Sequence, residues 1–147
     1  MKISARLVYL VITMITLNDI RDARERIAGS ATRTPLVRLN ADDAPAEIYL
    51  KLENLQPIGS FKIRGAANAI ARMSPETLAN GVVTASAGNM AQGVAFAARR
   101  LGIPCTVIAP ETAPQTKIDA IERLGGRVIK ASFDDWWRAF QQRSFPG

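Results

Sequence analysis

From residue 81 onward the chain switches repeatedly between two hydrophobic periods. The stretches 81–85 (GVVTA), 104–109 (PCTVIA) and 127–130 (RVIK) are short apolar runs bounded by breakers, as strands are. Between and after them, 90–101, 116–124 and 134–142 place small or apolar residues at helical spacing. Strand, helix, strand, helix, strand, helix with short connectors predicts an open α/β architecture. Its strands are parallel, its crossovers right-handed, and its helices cover the sheet. Upstream, 47–52 (EIYLKL) alternates like a half-buried strand after the breaker-rich stretch 40–45. Past the turn at Pro57-Ile58-Gly59, Ser60 is a candidate N-cap for a helix reaching about Met73. Phe61, Ile63, Ala67 and Ile70 stand on or near its apolar side. A charged helix over about 20–28 opens at Asn18-Asp19.

Ligands of open α/β sheets bind where a strand ends and the next helix begins. At one such junction stands Thr84-Ala85-Ser86-Ala87-Gly88-Asn89-Met90-Ala91-Gln92-Gly93-Val94. Gly88 permits close backbone approach, the first amides of the helix face outward, and Ser86 and Asn89 add side-chain hydrogen-bonding groups. Such a loop suits a carboxylate, and it equally suits a plain helix cap. The second candidate is Lys62, within Gly59-Ser60-Phe61-Lys62-Ile63-Arg64-Gly65-Ala66-Ala67-Asn68. Desolvation and the positive end of a helix dipole both favour a neutral, nucleophilic amine there. A solvated surface lysine has the same local spacing.

Composition narrows the chemistry. The 147 residues are 48% hydrophobic and 22% charged, which suits a compact domain or part of a larger one. The net charge of +6 is scattered without a basic run, and aromatics at 6% do not interleave with it, so a nucleic-acid partner is not expected. The absence of histidine removes Ser-His-Asp triads, imidazole bases and His-ligated metals, and no metal site is expected. The single cysteine, Cys105, lies in an apolar run and reads as a buried strand residue of a protein from the reducing cytoplasm. Lys2 and Arg6 precede an apolar run over 7–17 that is too short and threonine-rich to span a bilayer. Residues 1–13 read as an upstream extension, with Met14 as the natural start.

Taken together, the motifs identify a family. The chain resembles the fold type II pyridoxal phosphate enzymes, and within them the threonine/serine dehydratase group that includes serine racemases. The resemblance runs from Met14 to about Trp136. It rests on Thr34-Pro35-Leu36, the run Tyr49-Leu50-Lys51-Leu52-Glu53-Asn54-Leu55-Gln56-Pro57, the GSFKIRGA and TASAGN blocks, and Pro110-Glu111-Thr112-Ala113-Pro114. It implies a three-layer open parallel sheet, similar to the tryptophan synthase β chain. Residues 14–80 would be the N-terminal part of the large cofactor domain and 81–147 a small α/β domain, incomplete at its C-terminal end. It also implies β-elimination of L-threonine or L-serine to a 2-keto acid and ammonia, full-length homo-oligomers, and no membrane partner. Lys62 would bind pyridoxal 5′-phosphate as a Schiff base and later remove the substrate α-proton. Phe61 would pack by the cofactor and Asn89 would hydrogen-bond its ring hydroxyl. The amides of Ser86, Ala87, Gly88, Asn89 and Met90 would hold the substrate carboxylate.

Racemases of this group resemble the chain but carry a proton-donating serine at the place of Ala87, so elimination is the expected reaction. Met90 stands where the dehydratase pattern has histidine, which implies altered packing or substrate preference. The glycine-rich phosphate cradle of the family is not found; Gly125-Gly126 reads as a helix-to-strand turn. Alternatives are a non-catalytic remnant or interaction fragment of the family, a serine racemase, and a β-replacement enzyme of the cysteine synthase type.

Overall fold

A computed structural model describes residues 14–143; the expectation for residues 1–13 lies outside the described residues. Helix α1 (Leu17–Arg26) starts three residues before the expected point. A Thr16/Asp19 capping box satisfies its first amides, with Thr16 N–H donating to the Asp19 carboxylate at 2.8 Å. Strand β1 (Leu36–Arg38) pairs antiparallel with β2 (Tyr49–Lys51), with Val37 opposite Leu50. The strand expected over 47–52 is therefore shorter. It is also exposed at every position rather than half-buried, because it belongs to a two-stranded ribbon. Strand β1 was not expected, since three residues carry no legible period.

A 3-10 turn (Glu53–Leu55) leads to α2 (Lys62–Ile70), which buries Ile63, Ala66, Ala67 and Ile70 at helical spacing. Two expectations are corrected. The capping position is Phe61, whose side chain is 57% exposed instead of joining the apolar side; Ser60 lies one residue earlier, buried, and its Oγ accepts from Lys62 N–H at 3.3 Å. The helix also stops at Ile70, before Met73. A single turn, α3 (Pro75–Leu78), follows with Ser74 as its cap.

The second half matches its pattern within one residue at most ends. Strands β3 (Val82–Ala85), β4 (Cys105–Pro110) and β5 (Arg127–Ala131) form a parallel sheet in that order, joined by α4 (Asn89–Leu101) and α5 (Gln115–Arg123) and followed by α6 (Phe133–Gln142). On one face Val82, Cys105 and Val107 pack with Ala91, Ala95, Ala98 and Ile121 of α4 and α5. Alternation sends Val83, Thr106 and Ile129 to the opposite face, where α6 lies across the sheet. The three-layer α/β sheet is thus the observed architecture. Helix α2 packs on α4 in the most extensive contact between any two elements. None of the described helices is long and apolar enough to cross a membrane.

Candidate active site

Lys62 is the first residue of α2, and residues 86–90 lead from the end of β3 into α4. Because α2 packs on α4, these junctions open onto one cavity of about 1230 Å³, with Lys62, Ser86 and Met90 in its wall beside Ala85, Ile108 and Trp136. Phe61, Ala87, Gly88 and Asn89 do not line it. Phe61 instead lies under the lysine, whose Nζ is 5.0 Å from the ring centroid, a cation–π contact. Asn89 is exposed at the first position of α4.

The loop geometry is that of a helix start open to an anion. Ser86 N–H extends the sheet ladder to the Ile108 carbonyl (3.0 Å), and Gly88 N–H turns back onto Ser86 Oγ (3.3 Å). The first bond of α4 runs from Gln92 N–H to the Gly88 carbonyl (3.2 Å), so the N–H groups of Asn89, Met90 and Ala91 precede it and lack helical acceptors. A Cβ at Gly88 would meet nothing within 4 Å. Packing within the chain does not demand this glycine; the space above it is open.

A polar network that no local pattern marks ties Arg64 of α2 to residues 32–56. Glu53 receives a forked pair from Arg64, Nε at 2.9 Å and a terminal nitrogen at 2.8 Å, together with the Thr34 hydroxyl and Gln56 Nε2 at 3.2 Å. The buried Gln56 amide also clamps the backbone of Thr32, accepting from its N–H at 2.9 Å and donating to its carbonyl at 2.8 Å. Lys51 donates to the Thr34 carbonyl. The Arg64 hydrogen bonds are the main cause that holds the Glu53 carboxyl down at about 2. Charge and amide residues scattered over 32–64 carry no local period, so only their meeting in space reveals the cluster.

Burial pushes the Cys105 thiol up to about 11. Native protein is expected to resist a disulfide thiol reagent and to react with one equivalent on denaturation. Rapid titration of the native thiol would contradict this placement. Among the described residues no group of three or more His, Cys, Asp and Glu is placed to hold a metal ion.

A carbonyl cofactor fits part of this site. The Lys62 amine offers covalent attachment, and the open α4 start offers donors to a bound amino acid's carboxylate. The phosphate end has no matching glycine cradle among the described residues. Gly125-Gly126 forms the turn from α5 to β5, and a Cβ on Gly126 would fall 2.7 Å from Ile121 Cγ2, so that turn is filled by packing.

Comparison with known proteins gives the same picture. The chain is 48% identical over 130 residues to L-threonine ammonia-lyase of Thermotoga maritima, covering 86% of this chain and 32% of that protein. Maize serine racemase superposes with a TM-score of 0.77 at 37% identity, covering 85% of this chain and 39% of the other. A threonine deaminase isoform from Solanum lycopersicum gives 0.74 at 37%, with 88% and 38% covered. The chain therefore spans about a third of the length of the curated relatives it matches. The family profile described as "Pyridoxal-phosphate dependent enzyme" matches residues 27–143. With the fold, the lysine at its helix start and the open loop before α4, this establishes that the chain belongs to the family of pyridoxal-phosphate dependent enzymes.

Proposed function

We propose that this chain carries the lysine and the carboxylate-binding loop of an ammonia-lyase that deaminates L-threonine and L-serine by β-elimination. The observation that carries the reading is the single cavity walled by Lys62 and by the start of α4. When bound, pyridoxal 5′-phosphate supplies an electron sink that acidifies the α-carbon of an attached amino acid. Lys62 Nζ would anchor it and, as a free amine, would serve as the base for the substrate α-proton. The N–H groups at the start of α4, Asn89 and Met90 first, lack helical acceptors and hold the carboxylate, while Phe61 packs against the Lys62 amine. Water leaves from the β-carbon and is regained on hydrolysis, so the net products are a 2-keto acid and ammonia. Ala87 offers only a methyl group, which supports elimination over racemisation.

Residues 14–80 then belong to the larger cofactor domain and 81–147 to the smaller one. The buried, lone Cys105 supports a cytoplasmic setting. The exposed Leu36, Tyr49 and Leu50 of the ribbon support contact with further protein, as in homo-oligomers.

The test is to incubate the protein with pyridoxal phosphate, reduce with borohydride and map the labelled peptides. Label is expected on Lys62 and lost in Lys62→Ala, with 2-oxobutanoate released from L-threonine before reduction. Label spread evenly over the exposed Lys51, Lys117 and Lys130 would refute the assignment of Lys62.

A further inference from the structure

Under the reading above, the cofactor is held from two helices, by Lys62 at the start of α2 and by the start of α4, whose Met90 shares the same cavity wall. The distance between those two starts is set by how closely the helices approach. At the crossing lies Gly93, buried about one turn into α4. A Cβ there would stand 3.1 Å from the Ala66 Cβ, 3.4 Å from the Lys62 carbonyl oxygen and 3.5 Å from Ile58 Cδ1. The first of these is tighter than an ordinary carbon contact, and its partner is a methyl group on a helix backbone that cannot rotate away. Glycine in a helix interior is otherwise disfavoured relative to alanine, so its place here needs a spatial reason. Gly65, in the facing helix, provides the contrast: a Cβ there meets nothing within 4 Å.

We propose that Gly93 is a positioning residue that sets the spacing between the Lys62 amine and the amide-lined start of α4. A methyl group at 93 pushes against Ala66, one turn into the helix that Lys62 begins. The two helix starts then separate, and the cofactor cannot meet both at once. This rests on the assignment of Lys62 and the 86–90 loop to the site.

The experiment compares borohydride-fixed pyridoxyl label on Lys62, together with the melting temperature, in the parent protein, Gly93→Ala, Ala66→Gly, the Gly93→Ala/Ala66→Gly pair, and Gly65→Ala. Gly93→Ala is expected to lower Lys62 labelling roughly 3- to 10-fold, less than the ~100-fold that a full 1 Å misplacement can cost. The paired variant removes the 3.1 Å contact and leaves ordinary ones, so labelling is expected to recover towards the parent. Ala66→Gly alone weakens α2 and is expected to melt lower while keeping parent labelling, whereas in the pair the helix-propensity loss at 66 is offset by the gain at 93. A general loss of stability would move both readouts together, so their separation is the signature of positioning. Gly65→Ala is expected to keep parent labelling and to melt higher. The paired variant is decisive even where Gly93→Ala alone does not fold. Parent-level labelling in Gly93→Ala, or a paired variant without recovery, overturns the inference alone. Absence of Lys62 label in the parent overturns the assignment of Lys62, and the inference with it.

Discussion

Gly81→Ala is expected to be among the most damaging single substitutions in the chain, costing about 3 kcal/mol of stability. Two costs add. Gly81 has φ +84°, a left-handed conformation that an L-residue adopts at about 1–2 kcal/mol. A Cβ there would also fall 2.4 Å from the Pro104 carbonyl oxygen, which is backbone and cannot swing aside; overpacking of this kind costs about 1–3 kcal/mol. The carbonyl in question accepts from Val82 N–H at 2.9 Å and begins the β3–β4 pairing, so relief by movement would open the sheet at its first rung. Against a typical domain stability of about 5–15 kcal/mol, the loss is large. Urea unfolding should show a lower midpoint with little change in slope. A midpoint equal to the parent's would show that the turn accommodates a methyl group and that this account is wrong.

The second large effect concerns Glu53. Its carboxyl is held at about 2 in the folded chain, chiefly by the Arg64 hydrogen bonds, against an ordinary value near 4.5. A depressed acid stabilises the fold fully above its unfolded value. Stability should therefore fall as pH drops from about 4.5 towards 2, by up to on the order of 3 kcal/mol from this group. Glu53→Gln keeps the shape but removes the charge opposite Arg64. It should be less stable at pH 7 by about 2 kcal/mol, because its partner loses a charge-assisted pair in a site where the Glu53 side chain is only 17% exposed. Its stability should also be flatter between pH 4.5 and 2. Some slope will persist, since Asp19 and Glu76 are lowered by their own hydrogen bonds, Asp19 mainly from the Thr16 hydroxyl and Glu76 mainly from Ser74. An acid profile with the parent's steepness in Glu53→Gln would remove Glu53 as the source.

The second half of the chain was legible because its signals are local and agree with one another. Short apolar runs of Val and Ile alternate with alanine-rich helical patterns, and each boundary carries a breaker or cap such as Gly102 or Ser132. The first half was less legible. The ribbon strands are three residues each and wholly exposed, and α3 is one turn long, all below the length at which periodicity speaks. Phe61 reads as core from its spacing, yet the helix begins one residue after it, so its ring lies outside the buried face and beside the Lys62 amine.

The sequence by itself determined the alternation that makes a parallel α/β sheet and marked the two junctions, Lys62 and residues 86–90, as chemistry-bearing. Both follow from side-chain period and from helix starts, which are properties of neighbours along the chain. Only the tertiary structure decided that those junctions share a cavity, that Ser86 and Met90 face it while Asn89 does not, and that Glu53 and Arg64 brace the lysine's helix. It also decided that Gly93 lies where a Cβ would crowd Ala66 of the facing helix. These are contacts across separations of 11 to 31 residues, fixed by how α2 sits against α4 and against the 3-10 turn, and no local pattern encodes them.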